Sequence, residues 1–126
     1  MENWHDLEPF TGARSRGTKS FISITARKSL TFSTGFIRDA KDQILSNQYV
    51  LLFFSKAKNA IVFEFTSNSS EKGALKMSGT INPSISSRSF FNFYKLDDKY
   101  VGKYIPKLED IPQRGTRWVI YLDEKI

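Results

Sequence analysis

Two apolar runs, YVLLFF at residues 49–54 and AIVFEF at residues 60–65, are separated only by the polar connection SKAKN. Both are rich in the β-branched and aromatic residues that suit a pleated, buried surface, so the pattern predicts a β-hairpin. A two-stranded hairpin alone is at best marginally stable in water. The rest of the chain must therefore cover this one, which places it in the core. Upstream, FISITAR (21–27) and LTF (30–32) read as a strand and a short strand meeting at a basic corner, Arg27-Lys28-Ser29. Ser33 and Thr34 offer hydroxyls that cap a helix start. Phe36, Ile37, Ala40 and Ile44 then recur at three- and four-residue spacings, opposite Arg38, Asp39, Lys41 and Asp42. That spacing predicts one short amphipathic helix.

The same order returns in the second half. Residues 67–73 (SNSSEKG) form a linker by composition, ALKMSGTI (74–81) reads as a strand, and Asn82-Pro83 turns the chain. Ser86 or Ser87 then caps a helix over residues 87–96, with Phe90, Phe91, Tyr94 and Leu96 on its apolar side and Asp97-Asp98 as its stop. KYVGKYIPK (99–107) and RWVIYLD (117–123) supply two strands, joined by a loop that holds Glu109, Asp110, Pro112, Arg114 and Gly115. Order and spacing thus predict an internal duplication, residues 21–66 and 74–123, behind a flexible tail of residues 1–20. Two such units bury each other's apolar faces and remove exposed strand edges. The expected fold is mostly β with two short helices (α+β), a single β-barrel domain over residues 21–126 built of two similar halves. Eleven Phe residues in a chain of 126 supply its core, since each ring buries roughly 150 Å² or more.

Composition narrows the function. The absence of cysteine excludes disulfides and thiolate metal sites and fits a reducing cytoplasm. The opening residues Glu2, Trp4, His5 and Asp6 do not make a signal peptide, and no apolar run approaches the ~18 residues of a membrane span. A cytoplasmic protein with no membrane partner is expected. The single His5 lies in the tail, the carboxylate pairs Asp97-Asp98, Glu109-Asp110 and Asp123-Glu124 fall at element ends, and neither GxGxxG nor a P-loop is present. No catalytic residue, no metal ligand and no cofactor is therefore expected, and the chain does not read as an enzyme. A net charge of +6 and a pI near 9.6 favour polyanionic partners.

Strand, basic corner, short strand, capped helix and hairpin is an order that resembles the AbrB-type swapped-hairpin family of DNA-binding proteins, over residues 21–66. The second half resembles a degenerate copy, which implies a pseudo-duplicated AbrB-like or double-psi β-barrel. Lys28-Ser29 stands where that family carries a Gly-Arg pair, and Ser33 where it carries the Pro that starts the helix. The resemblance implies that Arg27 and Lys28 face a phosphate backbone with Arg38 nearby, and Arg88 holds the matching position in the second half.

Arg14, Arg16 and Lys19 in the tail would lie along phosphates, whereas Trp4, Leu7 and Phe10 would dock on a protein partner or fold back. FFNFY (90–94) has more rings than one helical face buries, so Phe93 or Phe91 is expected at the surface, with Phe90 and Tyr94 in the core. Lys99, Lys103 and Lys107 fall on one strand face, with Tyr104 opposite. The expected function is non-enzymatic nucleic-acid binding, with DNA ahead of RNA, by a transcriptional regulator acting as monomer or homodimer. The alternative is a protein-interaction module working through the tail or exposed aromatics, and a small-ligand barrel comes third.

Overall fold

The hairpin forms as the sequence predicts. Strands β3 (Tyr49–Ser55) and β4 (Ala60–Thr66) pair antiparallel along their whole length, from Tyr49 opposite Thr66 to Ser55 opposite Ala60. The computed structural model describes residues 19–78 and 83–126, so Trp4, Leu7, Phe10, Arg14, Arg16 and the end of the ALKMSGTI run lie outside the described residues. Before the hairpin come β1 (Ile22–Ile24), β2 (Ser29–Phe32) and helices α1 (Thr34–Asp39) and α2 (Lys41–Ser46). After it come β5 (Leu75–Ser78), β6 (Ser84–Ser86), helix α3 (Arg88–Phe93), a 3-10 turn at Asp98–Tyr100, β7 (Gly102–Tyr104), β8 (Lys107–Ile111) and β9 (Gly115–Tyr121).

The nine strands make one antiparallel sheet in the order β7-β1-β2-β6-β5-β3-β4-β9-β8. Its first and last strands, β7 and β8, are joined in the chain by only Ile105 and Pro106. The residues after β9 also return to β7, through a bridge between Tyr104 and Lys125 and a 2.8 Å bond from the Ile126 amide to the Lys103 carbonyl. The sheet is thus curled and barrel-like. Pairing is exchanged between the halves of the chain: β1 pairs with β7 and β3 with β5, while β2–β6 and β4–β9 join them across.

Alternation along the strands fills the interior. Ile22, Ile24, Leu30 and Phe32 enter from β1 and β2, Val50, Ile61 and Phe63 from the hairpin, and Ile85, Trp118 and Ile120 from the second half. Phe36, Ala40 and Ile44 join that core from the helices, as their spacing predicts. Ser33 caps α1, its Oγ accepting from the Phe36 amide at 3.1 Å and the Phe21 amide at 2.9 Å while donating to the Lys19 carbonyl. The outer face of the hairpin is also apolar: Ala60, Val62 and Val119 are buried beneath Phe53, Ile111 and Tyr121. Arg114 lies 4.2 Å over the Phe53 ring and shares the Glu64 carboxylate with Arg117, at 2.8 Å each, so an ion-paired strap covers that patch.

Three expectations are corrected. The single helix over residues 36–44 is two six-residue helices that meet at Ala40, so the described residues hold three short α-helices instead of two. The loop expected between 108 and 115 is largely strand β8, whose hairpin with β9 turns only at Pro112, Gln113 and Arg114. Its residues are mostly exposed because it pairs on one side only, and that exposure hides a strand pattern. Residues 99–107 are not one strand: Lys99 lies in the 3-10 turn, Lys103 in β7 and Lys107 in β8, so the three do not share a face.

Tyr104 is 1% exposed, and its hydroxyl donates to the Tyr100 carbonyl at 2.6 Å. Burial, with a smaller contribution from Tyr100, pushes its pKa up to about 12. Tyr121, whose hydroxyl donates to the Glu109 carboxylate, is likewise raised to about 12 by that bond. The neutral phenol is the form the fold favours in both. Their contribution to stability is therefore complete below about pH 10 and lost as the pH rises through about 12. Ultraviolet difference absorbance, with Tyr104→Phe and Tyr121→Phe to assign the signals, should show these two ionising only with alkaline unfolding; their ionisation near pH 10 in the native state would contradict this.

Candidate functional site

The basic corner between β1 and β2 is a tight turn with Lys28 in the left-handed region, at φ 62°. The Thr25 carbonyl accepts from the Lys28 amide at 2.9 Å, and the Thr25 and Ser29 hydroxyls are 2.7 Å apart. Ser87, fully buried at the start of α3, donates its hydroxyl to the Lys28 carbonyl at 2.9 Å, so it ties the corner to the helix and does not cap it. Ser87→Ala should cost about 1 kcal/mol in chemical denaturation, because a part-buried hydrogen bond between the corner and the helix is lost. A variant as stable as the parent would show that the link contributes nothing.

From the corner, the Lys28 ammonium reaches the Asn92 side-chain oxygen at 3.1 Å. Helix α3 then ends in a Schellman motif: the Leu96 amide bonds the Phe91 carbonyl at 2.8 Å, the Lys95 amide bonds the Asn92 carbonyl at 3.2 Å, and Phe91 and Leu96 are both buried. The left-handed residue in this motif is usually glycine. Here it is Lys95, at φ 56°. A lysine in that conformation carries a cost of about 1 kcal/mol, and strain of this kind concentrates at functional sites.

Beside Lys95 opens a cleft of about 490 Å³ between the β3–β4 turn, the end of α3 and the 3-10 turn. Its walls are aromatic and its rim is basic. Phe54, Phe93, Tyr94 and Tyr100 line it with Lys56, Lys95 and Lys99, and Asn59 and Asp97 add polar groups. Tyr94 lies 4.9 Å from Phe54, 5.0 Å from Phe90 and 4.9 Å from Phe93, so the rings form a continuous ladder from the core outward. Phe93 is 77% exposed and Tyr94 39%. The Lys99 ammonium sits 5.1 Å over the Tyr100 ring, and Asp97 accepts from the Lys99 amide at 3.2 Å. No described carboxylate forms an ion pair with Lys56, Lys95 or Lys99.

Of the residues singled out in the sequence, Arg27, Lys28 and Arg88 come together, because β2 and β6 pair Ser29 with Ser86 and Ser87 bonds the corner. Arg38 does not join them. It follows β2 at the other end of that strand, is ion-paired with Asp39 at 3.2 Å, and belongs to the end of the sheet where Lys19 meets Ser33. Phe93 is the surface ring, whereas Phe91 is buried. Tyr94 departs from the core position expected for it and becomes a cleft wall.

Lys56, Lys95, Lys99 and Tyr100 are absent from the sequence-based site. Lys56 sits in a polar hairpin turn and Lys95 after a helix, where a solvated charge is the ordinary reading. The one signal available was FFNFY, whose surplus of rings pointed to a surface at α3. Among the described residues, no helix is long and apolar enough to cross a membrane, and no three His, Cys, Asp or Glu residues group as for a metal ion. No protein-family model, no curated protein and no solved structure matches the chain.

Proposed function

We propose that this is a non-enzymatic nucleic-acid-binding protein that holds phosphates along a basic face running from Arg27, Lys28 and Arg88 to Lys56, Lys95 and Lys99. One observation carries the reading: three lysines without a described ion-pair partner surround a cleft walled by aromatic rings, of which Phe93 and Tyr94 are exposed. Unpaired cations concentrated on one side of a chain of net charge +6 attract a polyanion and gain from counterion release. Exchange of strands between the halves supports two related copies, residues 21–66 and 74–123, in an AbrB-like barrel. The contacts differ from those that the resemblance implied, since Lys56, Lys95 and Lys99 at the cleft join Arg27, Lys28 and Arg88, three residues from each half.

The test is Lys95→Gly. Glycine relieves the left-handed strain, so the variant should be as stable as the parent or up to about 1 kcal/mol more stable. Its affinity for DNA in fluorescence anisotropy should nonetheless fall, and its salt slope should shrink by about 0.9 logarithmic units on duplex or about 0.7 on single strands. Parental affinity and slope in Lys95→Gly would remove Lys95 from the interface. Binding that ignores salt would sink the reading as a whole.

The exposure of Phe93 also favours a second reading, a protein-interaction surface at the same cleft. That reading predicts no affinity for DNA or RNA at low salt.

A further inference from the structure

The geometry points to an unpaired nucleotide as the ligand of the cleft, with its base stacked on the exposed face of Phe93, beside the perpendicular Tyr94 ring, and its flanking phosphates on Lys56, Lys95 and Lys99. This inference rests on the nucleic-acid reading and names the form of nucleic acid recognised. Phosphate contacts alone would need only the lysines. They leave unexplained why the most exposed large hydrophobic side chain among the described residues, Phe93, stands at the mouth of a basic cleft.

A soluble surface gains nothing from a bare phenyl ring, yet the Phe93–Tyr94–Phe54 ladder holds this one in place, with ring centroids 4.9 Å apart at each step. A fixed, exposed π-face is what a nucleobase covers, because every base presents a flat face of its own. In a duplex those faces are hidden inside the stack. A duplex would therefore reach the lysines but not the rings, whereas a single strand, a loop or a frayed end would reach both. The cleft volume of about 490 Å³ falls within the range of small-ligand sites, enough for a base and its sugar to enter. Asn59 adds an amide at the cleft wall, which both donates and accepts. The lysines stand on three separate elements around the opening, a spread that suits successive phosphates better than one.

Fluorescence anisotropy with labelled oligothymidine, oligouridine and a blunt DNA duplex of equal length, at one low salt concentration, tests this on the parent chain and on Phe93→Ala. The single strands should bind at least about tenfold more tightly than the duplex. Phe93→Ala should weaken single-strand binding by about 5- to 140-fold, the range for one lost base stack, and leave duplex binding unchanged. Because Phe93 is exposed, circular dichroism of the variant should match the parent. Equal binding of thymidine and uridine strands supports recognition of base and phosphate alone, and a preference for one assigns the sugar or the thymine methyl as an added contact. Equal affinity for strand and duplex, with Phe93→Ala silent, overturns the unpaired-base inference while the phosphate-binding face stands. Failure of all three probes to bind removes both.

Discussion

Phe36→Ala should destabilise the protein by about 3–5 kcal/mol, the largest effect expected of any single truncation here. Phe36 is fully buried, with its ring centroid 5.1 Å from Phe32 on β2 and 5.0 Å, edge-on, from Trp118 on β9. It is the point where α1, the first half of the sheet and the second half meet. Removing the ring leaves a cavity that strands on two sides cannot both collapse into, so a transfer loss and a cavity term add. Urea unfolding should show a lower midpoint with an unchanged slope. A loss below about 1 kcal/mol would mean that α1 is not packed between the halves as described. The contrasting control is Phe93→Ala, whose exposed ring should cost no more than about 0.5 kcal/mol.

The second large effect is on binding. Replacing Lys56, Lys95 and Lys99 together by Glu turns three positive charges at the cleft into three negative ones. On the proposed reading, nucleic-acid affinity at low salt should fall on the order of 1,000-fold, because the sequence-independent part of such binding is almost wholly electrostatic. The loss should narrow as salt is raised, since screening weakens the repulsion as it weakened the attraction. All three lysines are exposed, so the fold should tolerate the change. Reversing Arg38, at the far end of β2 and paired with Asp39, should matter much less. If the triple variant bound as the parent does, while reversal at Arg27 and Lys28 abolished binding, the site would be the corner and not the cleft.

Much of the architecture was legible because the relevant forces are local or periodic. The apolar, β-branched and aromatic runs YVLLFF and AIVFEF around a polar connection specified a hairpin, but with both faces apolar they left open which face turns to the larger core. Ser33 followed three residues later by Phe36 announced the helix start, since a hydroxyl there satisfies an amide that has no partner inside the helix. Phe36, Ala40 and Ile44 declared their buried face by spacing alone. Strand β8 escaped because, as an end strand of the sheet, it is only partly buried at Glu109 and Ile111, too little to impose a period: Leu108 on it is 53% exposed.

By itself the sequence determined a mostly β protein, its central hairpin, the start and buried face of the helical segment after Ser33, and a net charge of +6. It also marked Arg27-Lys28 as a corner and FFNFY as a surface with a ring to spare. Only the tertiary structure decided where the charges converge. Lys28 meets Asn92 across 64 residues of chain, and the turn carrying Lys56 reaches Lys95 and Lys99 because Phe54 packs on Tyr94. Those meetings depend on strands exchanged between halves and on the curl that returns the end of the chain to β7. Each such contact exists only once the loops between distant segments are closed, and loop closure is driven by the burial of the whole core, a quantity no short window of residues contains.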